Sequence, residues 1–222
     1  EHLSDRVTAL AALTFSDWLL KGADDSICSS LTAMMQTLSE GPQTVAKAAC
    51  QVAHVLRESS IEEQSRCWTR AFCVGEGSVT PHQSVAVTGL VMQEPRDEVL
   101  QVMSDFGLAP EAALHEPADH LGVLLAFWAR LLAAPGHADA AVSFAERHLS
   151  WVPWVRAELE AKQPDNDVAM ALVTLLETVI DDFLRKHVRG LKPRNLQLRP
   201  CRYDVCDGRL FFDGCDHAQM DL

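Results

Sequence analysis

Residues 116–120, Glu-Pro-Ala-Asp-His, place two carboxylates and an imidazole in one short run. Proline suits the first turn of a helix, because that position needs no amide donor. The run therefore predicts a helix opening at Glu116-Pro117, with Asp119 and His120 in its first turn, where a carboxylate meets the positive end of the helix dipole. Three kinds of chemistry follow. Asp119 and His120 can form an acid–base pair, although no nucleophile or second base is recognisable beside them. Asp119 can cap while His120 bonds a neighbouring loop. Asp119 can also anchor a peptide by accepting hydrogen bonds from an arginine.

Two other groups of residues carry potential chemistry. Cys201, Cys206, Cys215 and His217 offer four soft ligands for a tetrahedral zinc ion. Their spacing departs from the usual short Cys-x-x-Cys knuckle, and the plain alternative is three thiols in a polar tail. Trp68 and Phe72 are four positions apart and share a helix face. They precede the loop run Pro81-His82-Gln83-Ser84. Such a stripe is either core or binding surface. The sequence holds no GxxxxGK[ST] phosphate loop, GxSxG elbow or HExxH zinc helix, so neither an enzyme nor a bound cofactor is expected.

The elements that must position these residues are helical. Leu3, Val7, Leu10, Leu13 and Leu20 recur at helical spacing around Trp18 and stop at Gly22. Ile27, Leu31, Met34, Met35 and Leu38 form a second face, ending at Gly41-Pro42, and Val45, Ala49, Val52, Val55 and Leu56 a third. Ser60 with Glu63 reads as a capping box opening the helix of Trp68 and Phe72. Residues 75–81 form a loop by composition; 84–92 are apolar, β-branched and ambiguous. Further helices are predicted over 95–106, from 117 to Pro135-Gly136, over 138–149 and 152–159, and from a cap at Asp165 to Leu184. Cys28, Cys50 and Cys67 fall in apolar patterns and read as small core residues. No strand–turn–strand series is found. The expected fold is an all-α, single-domain bundle of about nine to ten helices over residues 1–190, with 191–222 an irregular, Cys-containing tail.

The 222 residues carry 19 Lys+Arg against 31 Asp+Glu, a net charge of −12. Seven of the basic groups lie between Arg185 and Arg202 with no acidic residue among them. That leaves 12 basic against 31 acidic groups elsewhere, or −19. Such a field repels phosphate backbones and argues against nucleic acid as a partner. It attracts cationic peptides. No apolar stretch is long enough to span a bilayer. The N-terminal residues lack the basic and apolar regions of a secretory leader, and the seven cysteines are an odd number, so a cytoplasmic location is expected.

Three segments together resemble the TorD/DmsD/NarJ family of cytoplasmic chaperones for molybdoenzymes. Trp68 to Val85, WTRAFCVGEGSVTPHQSV, is similar to the family's aromatic–Gly–loop–Pro-x-x-Ser-Val run. Glu116 to Leu132, EPADHLGVLLAFWARLL, matches its E-P-x-D-H motif and the apolar helix that follows. Phe144-x3-His148-Leu149-x-Trp151-x2-Trp154 is like its F-x3-H-L-x-x-W region with a shifted tryptophan. The resemblance covers about residues 1–187. The chain departs from it in having one tyrosine, Tyr203, and in the tail beyond Gly190.

The resemblance implies an all-α domain, either monomeric or a domain-swapped homodimer. It implies binding of the twin-arginine signal peptide and apo form of a molybdopterin oxidoreductase, with export delayed until the cofactor is inserted. The peptide site it implies falls on Trp68, Phe72, Pro81, Ser84, Glu116, Pro117, Asp119 and His120. The competing functions are a helical adaptor using the same acidic surface and a metal-dependent regulator using the cysteine tail.

Overall fold

The computed structural model describes residues 2–73, 75, 77–110 and 115–188, together with the backbone of 203–206 and 209–212. Among these are ten helices. They are α1 (Asp5–Lys21), α2 (Asp25–Ser39), α3 (Gln43–Glu58), α4 (Ile61–Phe72), α5 (Gln83–Thr88), α6 (Glu94–Asp105), α7 (Leu121–Ala133), α8 (Ala138–His148), α9 (Val152–Lys162) and α10 (Asp167–His187). The all-α expectation holds.

Local chemistry sets most helix starts. Ser4, Asp24 and Ser60 each accept the backbone amide three residues on, from Val7 at 3.3 Å, Ile27 at 2.8 Å and Glu63 at 3.2 Å. The cap of α10 is Asn166, not Asp165: its Oδ1 accepts from Ala169 N at 3.3 Å, while Asp165 is turned outward to Arg70 at 3.1 Å. Cys50, expected in the core, is exposed, because only Val45, Ala49 and Val52 of its helix point inward. The ambiguous stretch after Pro81 becomes the short α5, closed by Gly89 at φ 81°.

The core is built around α7. Leu121, Leu124, Leu125 and Trp128 are fully buried, and little of this helix reaches solvent, as expected for a helix apolar on nearly every side. Helix α1 packs along it, and Phe183 of α10 meets Trp128 edge-on at 5.1 Å, with Phe15 and Trp18 in the same cluster. Gly122 permits the close approach of α1: a β-carbon there would lie 2.6 Å from Leu20 Cγ. Ser16 Oγ donates to the Gly122 carbonyl at 2.7 Å across the same contact. The chain start is tied to the end of α10 by Asp182, which accepts from Leu3 N at 2.9 Å and pairs with His2 Nδ1 at 2.9 Å.

No strand is read in the C-terminal sequence, yet Tyr203–Cys206 (β1) and Arg209–Phe212 (β2) pair antiparallel, with Tyr203 opposite Phe212. The helical pattern stops before this point, and Arg209-Leu210-Phe211-Phe212 has no apolar–polar alternation to mark a strand. The zinc reading of Cys201, Cys206, Cys215 and His217 rests on side chains outside the described residues. Among the described residues, no group of three or more His, Cys, Asp or Glu is placed to hold a metal.

Candidate functional site

The helix predicted from Pro117 begins four residues later. Residues 117–120 form a turn closed by His120 N donating to Pro117 O at 3.0 Å, and His120, extended at φ −66° and ψ 133°, is the N-cap of α7. Its Nδ1 accepts from Gly122 N at 3.1 Å, so the ring proton sits on Nε2. Asp119 is displaced from the first turn of α7 to the start of another helix. Its Oδ2 accepts from Ser84 N at 2.9 Å, and its carbonyl accepts from Gln83 N at 3.0 Å. Asp119 thus satisfies the first two amides of α5, which lack partners within the helix.

The two segments run antiparallel where they meet. His82 and His120 form an isolated bridge, Leu121 N donates to Pro81 O at 2.8 Å, and the two imidazoles stand edge to face with centroids 5.0 Å apart. Glu116 Oε2 lies 3.8 Å from His82 Nε2. Of the sequence-predicted residues, Pro81, Ser84, Glu116, Pro117, Asp119 and His120 are therefore gathered at one junction. Asp119 is fully buried and, among the described residues, its Oδ1 has no hydrogen-bond partner; His82 Nδ1 is likewise buried and unpartnered there. Burial pushes the His120 imidazole down to about 3, with the nearby His82 adding in the same direction. Burial also lowers His82, against the opposing pull of the Asp119 and Glu116 carboxylates.

Asp119 and His120 do not form an acid–base pair facing solvent. One carboxylate oxygen is engaged by an amide, one imidazole nitrogen by its own helix, and both residues are buried. The two roles of the capping reading are exchanged: His120, expected to bond a neighbouring loop, caps α7, and Asp119, expected to cap that helix, holds the first amides of the neighbouring α5.

Trp68 and Phe72 belong to adjoining packing between α4 and α1. Phe72 meets the Trp18 ring edge-on at 5.5 Å, and Trp68 lies over Gly22, where a β-carbon would be 3.0 Å from its Cε3. Both are half-buried against the core. Val79 N, donating to Ala71 O at 2.7 Å, fastens the loop before Pro81 to the end of α4 and so connects the two groups.

The junction extends to residues that the sequence reading did not single out. Gln83 donates through Nε2 to Arg147 O at 3.2 Å and accepts at Oε1 from His148 Nδ1 at 3.0 Å. His148 is buried and is pushed down to about 4, by burial first and by Arg147 second, with Glu98 opposing. Arg147 grips Glu98 with two nitrogens, at 3.1 Å and 2.6 Å, joining α8 to α6. Gln83 was visible only as a polar residue between His82 and Ser84. His148 lay inside the third resembling segment, but its partner is 65 residues away.

Comparison with known proteins agrees with this architecture. No curated protein matches the sequence. A crystal structure from Archaeoglobus fulgidus, of a protein assigned to redox enzyme maturation, shares the fold, with a TM-score of 0.53 and 18% identity over 81% of this chain and 95% of that one. The profile of the nitrate reductase delta subunit family matches residues 36–160, more than half of the chain and the stretch containing all the junction residues. The chain accordingly belongs to the nitrate reductase delta subunit family, the NarJ/TorD-type chaperones of molybdoenzyme maturation.

Proposed function

We propose that the chain binds the twin-arginine signal peptide or the apo form of a molybdopterin oxidoreductase in the cytoplasm, and delays its export until the cofactor is in place. The observation that carries this reading is the junction itself. The family's Asp-His pair is used here to fix two helix starts against each other, holding a surface ready rather than performing a reaction. The acidic body supplies the field that a cationic leader follows. Within this reading Asp119, being fully buried, acts by ordering the segment from Ser84 onward, and not by touching an arginine itself.

The test is a calorimetric titration with synthetic leaders carrying paired arginines and an apolar stretch. Saturable binding that weakens when both arginines become glutamines supports the function. A protein that binds no leader encoded with a molybdopterin oxidoreductase in its own genome overturns it, and leaves a general helical adaptor as the alternative.

A further inference from the structure

The segment between α5 and α6 presents an unusual amount of apolar surface. Val87, Leu90, Val91 and Met92 are 54%, 41%, 50% and 57% exposed. Single exposed aliphatic residues need no explanation, but a contiguous group of them marks an interaction surface. This one is also a built structure. Gly89 takes a left-handed conformation at φ 81°. Thr88 Oγ1 donates to Ser84 O at 2.8 Å and accepts from Leu90 N at 3.2 Å. Gln93 Nε2 donates to Val91 O at 2.9 Å. Met92 is held at φ 57°, a conformation costly for any residue with a β-carbon.

The segment closes on the junction. Gln93 N donates to Ser84 Oγ at 3.2 Å, and the amide of that same Ser84 is held by Asp119. Asp119, Ser84 and Gln93 thus form one chain of bonds from the buried carboxylate to the base of the apolar tip. Exposed carboxylates lie on the two segments bonded to Ser84. Glu94, the first residue of α6, follows Gln93 and is exposed. Glu116, with a side chain 41% exposed, lies against His82 at the N-terminal end of α5.

We propose that Val87, Leu90, Val91 and Met92 seat the apolar stretch of an arginine-bearing peptide, with Glu94 and Glu116 facing its guanidinium groups. This assignment rests on the function proposed above and adds where the apolar part of the leader docks. Charge selects this occupant over the others. A second copy adds its own net charge of −12 to a face already bearing carboxylates. An anionic lipid surface meets the same carboxylates and a net charge of −12. A peptide that is cationic at one end and apolar at the other satisfies both halves of the surface.

The experiment compares the wild type with Val91→Ser/Met92→Ser, whose changed side chains point to solvent, with folding checked by thermal melting. Two fluorescent peptides serve as probes. Both carry paired arginines; one continues with about ten leucines and alanines, the length of a leader's apolar region, the other with serines and glycines. The variant is expected to lose about tenfold or more in affinity for the apolar peptide and to bind the polar one as the wild type does. A photo-crosslinker at Leu90 is expected to label the leucine stretch. Equal apolar-peptide affinity in both proteins, with crosslinks elsewhere, overturns the assignment while leaving the leader-binding function intact. Failure of the wild type to bind either peptide overturns both. A variant that loses only self-association identifies the face as a contact between copies, and overturns the assignment too.

Discussion

Asp119 accepts the backbone amide of Ser84 at 2.9 Å across 35 residues of chain, inside a site with no solvent contact at either residue. This single bond makes the most reactive-looking carboxylate of the sequence a structural tie between the turn before α7 and the start of α5. Asp119→Ala leaves the Ser84 amide buried without an acceptor, a loss of about 1–3 kcal/mol. Asp119→Asn retains an acceptor oxygen and should lose less. Urea unfolding measures the difference, and amide hydrogen exchange should show residues 84–93 losing protection first in Asp119→Ala. Equal protection in the two variants contradicts the tie.

Most helices were legible because burial follows the 3.6-residue period: Ile27, Leu31, Met34, Met35 and Leu38 point inward together, as their spacing demands. On α1, by contrast, Leu10 and Leu13 of the expected face are exposed, and Ala11, Ala12, Phe15 and Trp18 are buried instead. The gathering of Pro81, Ser84, Asp119 and His120 was legible only through their order within resembling motifs. Nothing in local spacing brings Pro81 O to Leu121 N. The role of Asp119 was misplaced for the same reason. Proline at 117 predicts a helix start nearby, but the α5 amides compete for the carboxylate, and that competition depends on tertiary approach. The cap of α10 shows the limit at its smallest scale, since Asp165 and Asn166 are equally good caps in sequence.

Asn166 is the case where one side chain serves three partners. Its Oδ1 caps α10, while Nδ2 donates to Cys67 O at 2.9 Å on α4 and to Gln163 Oε1 at 2.8 Å. Asn166→Ala removes a cap worth about 1 kcal/mol and also leaves Gln163 Oε1 and the Cys67 carbonyl without this donor, so about 2 kcal/mol or more is expected to be lost. Asp165→Ala breaks an exposed ion pair with Arg70 and should lose less than about 1 kcal/mol. Chemical denaturation ranks the two, and a larger loss for Asp165→Ala contradicts the assignment of the cap.

Gly22 and Gly136 differ both in backbone strain and in the room for a side chain. Both have positive φ, 84° and 82°, but a β-carbon at Gly136 meets open space while one at Gly22 meets the Trp68 ring at 3.0–3.3 Å. Gly136→Ala should therefore cost about 1 kcal/mol from its backbone alone. Gly22→Ala should cost more by about 1–3 kcal/mol, because at ψ −156° its backbone is closed to residues with a β-carbon and because the tryptophan must move. Similar losses in the two melting curves mean that Trp68 does not depend on Gly22 for its place.

The buried histidines make stability depend on pH in a direction opposite to that of an ion-paired histidine. His120 and His148 titrate at about 3 and about 4 in the folded protein, held down chiefly by burial, against about 6.5 unfolded. As pH falls below about 6.5 the unfolded chain takes up protons that the folded one refuses, so the folded state loses ground. Their contribution is complete above about 6.5 and falls away toward 3–4, with a slope of up to about 1.4 kcal/mol per pH unit for His120 and a further loss of the same sign for His148. His120→Asn keeps an acceptor for Gly122 N, since asparagine is a good N-cap, and removes the titrating ring. Urea midpoints measured between pH 7 and 5 should fall less steeply for His120→Asn than for the wild type. Parallel curves for the two proteins would mean that His120 takes up its proton as readily in the folded protein as in the unfolded chain, and that the bond from Gly122 N to Nδ1 does not hold the ring neutral.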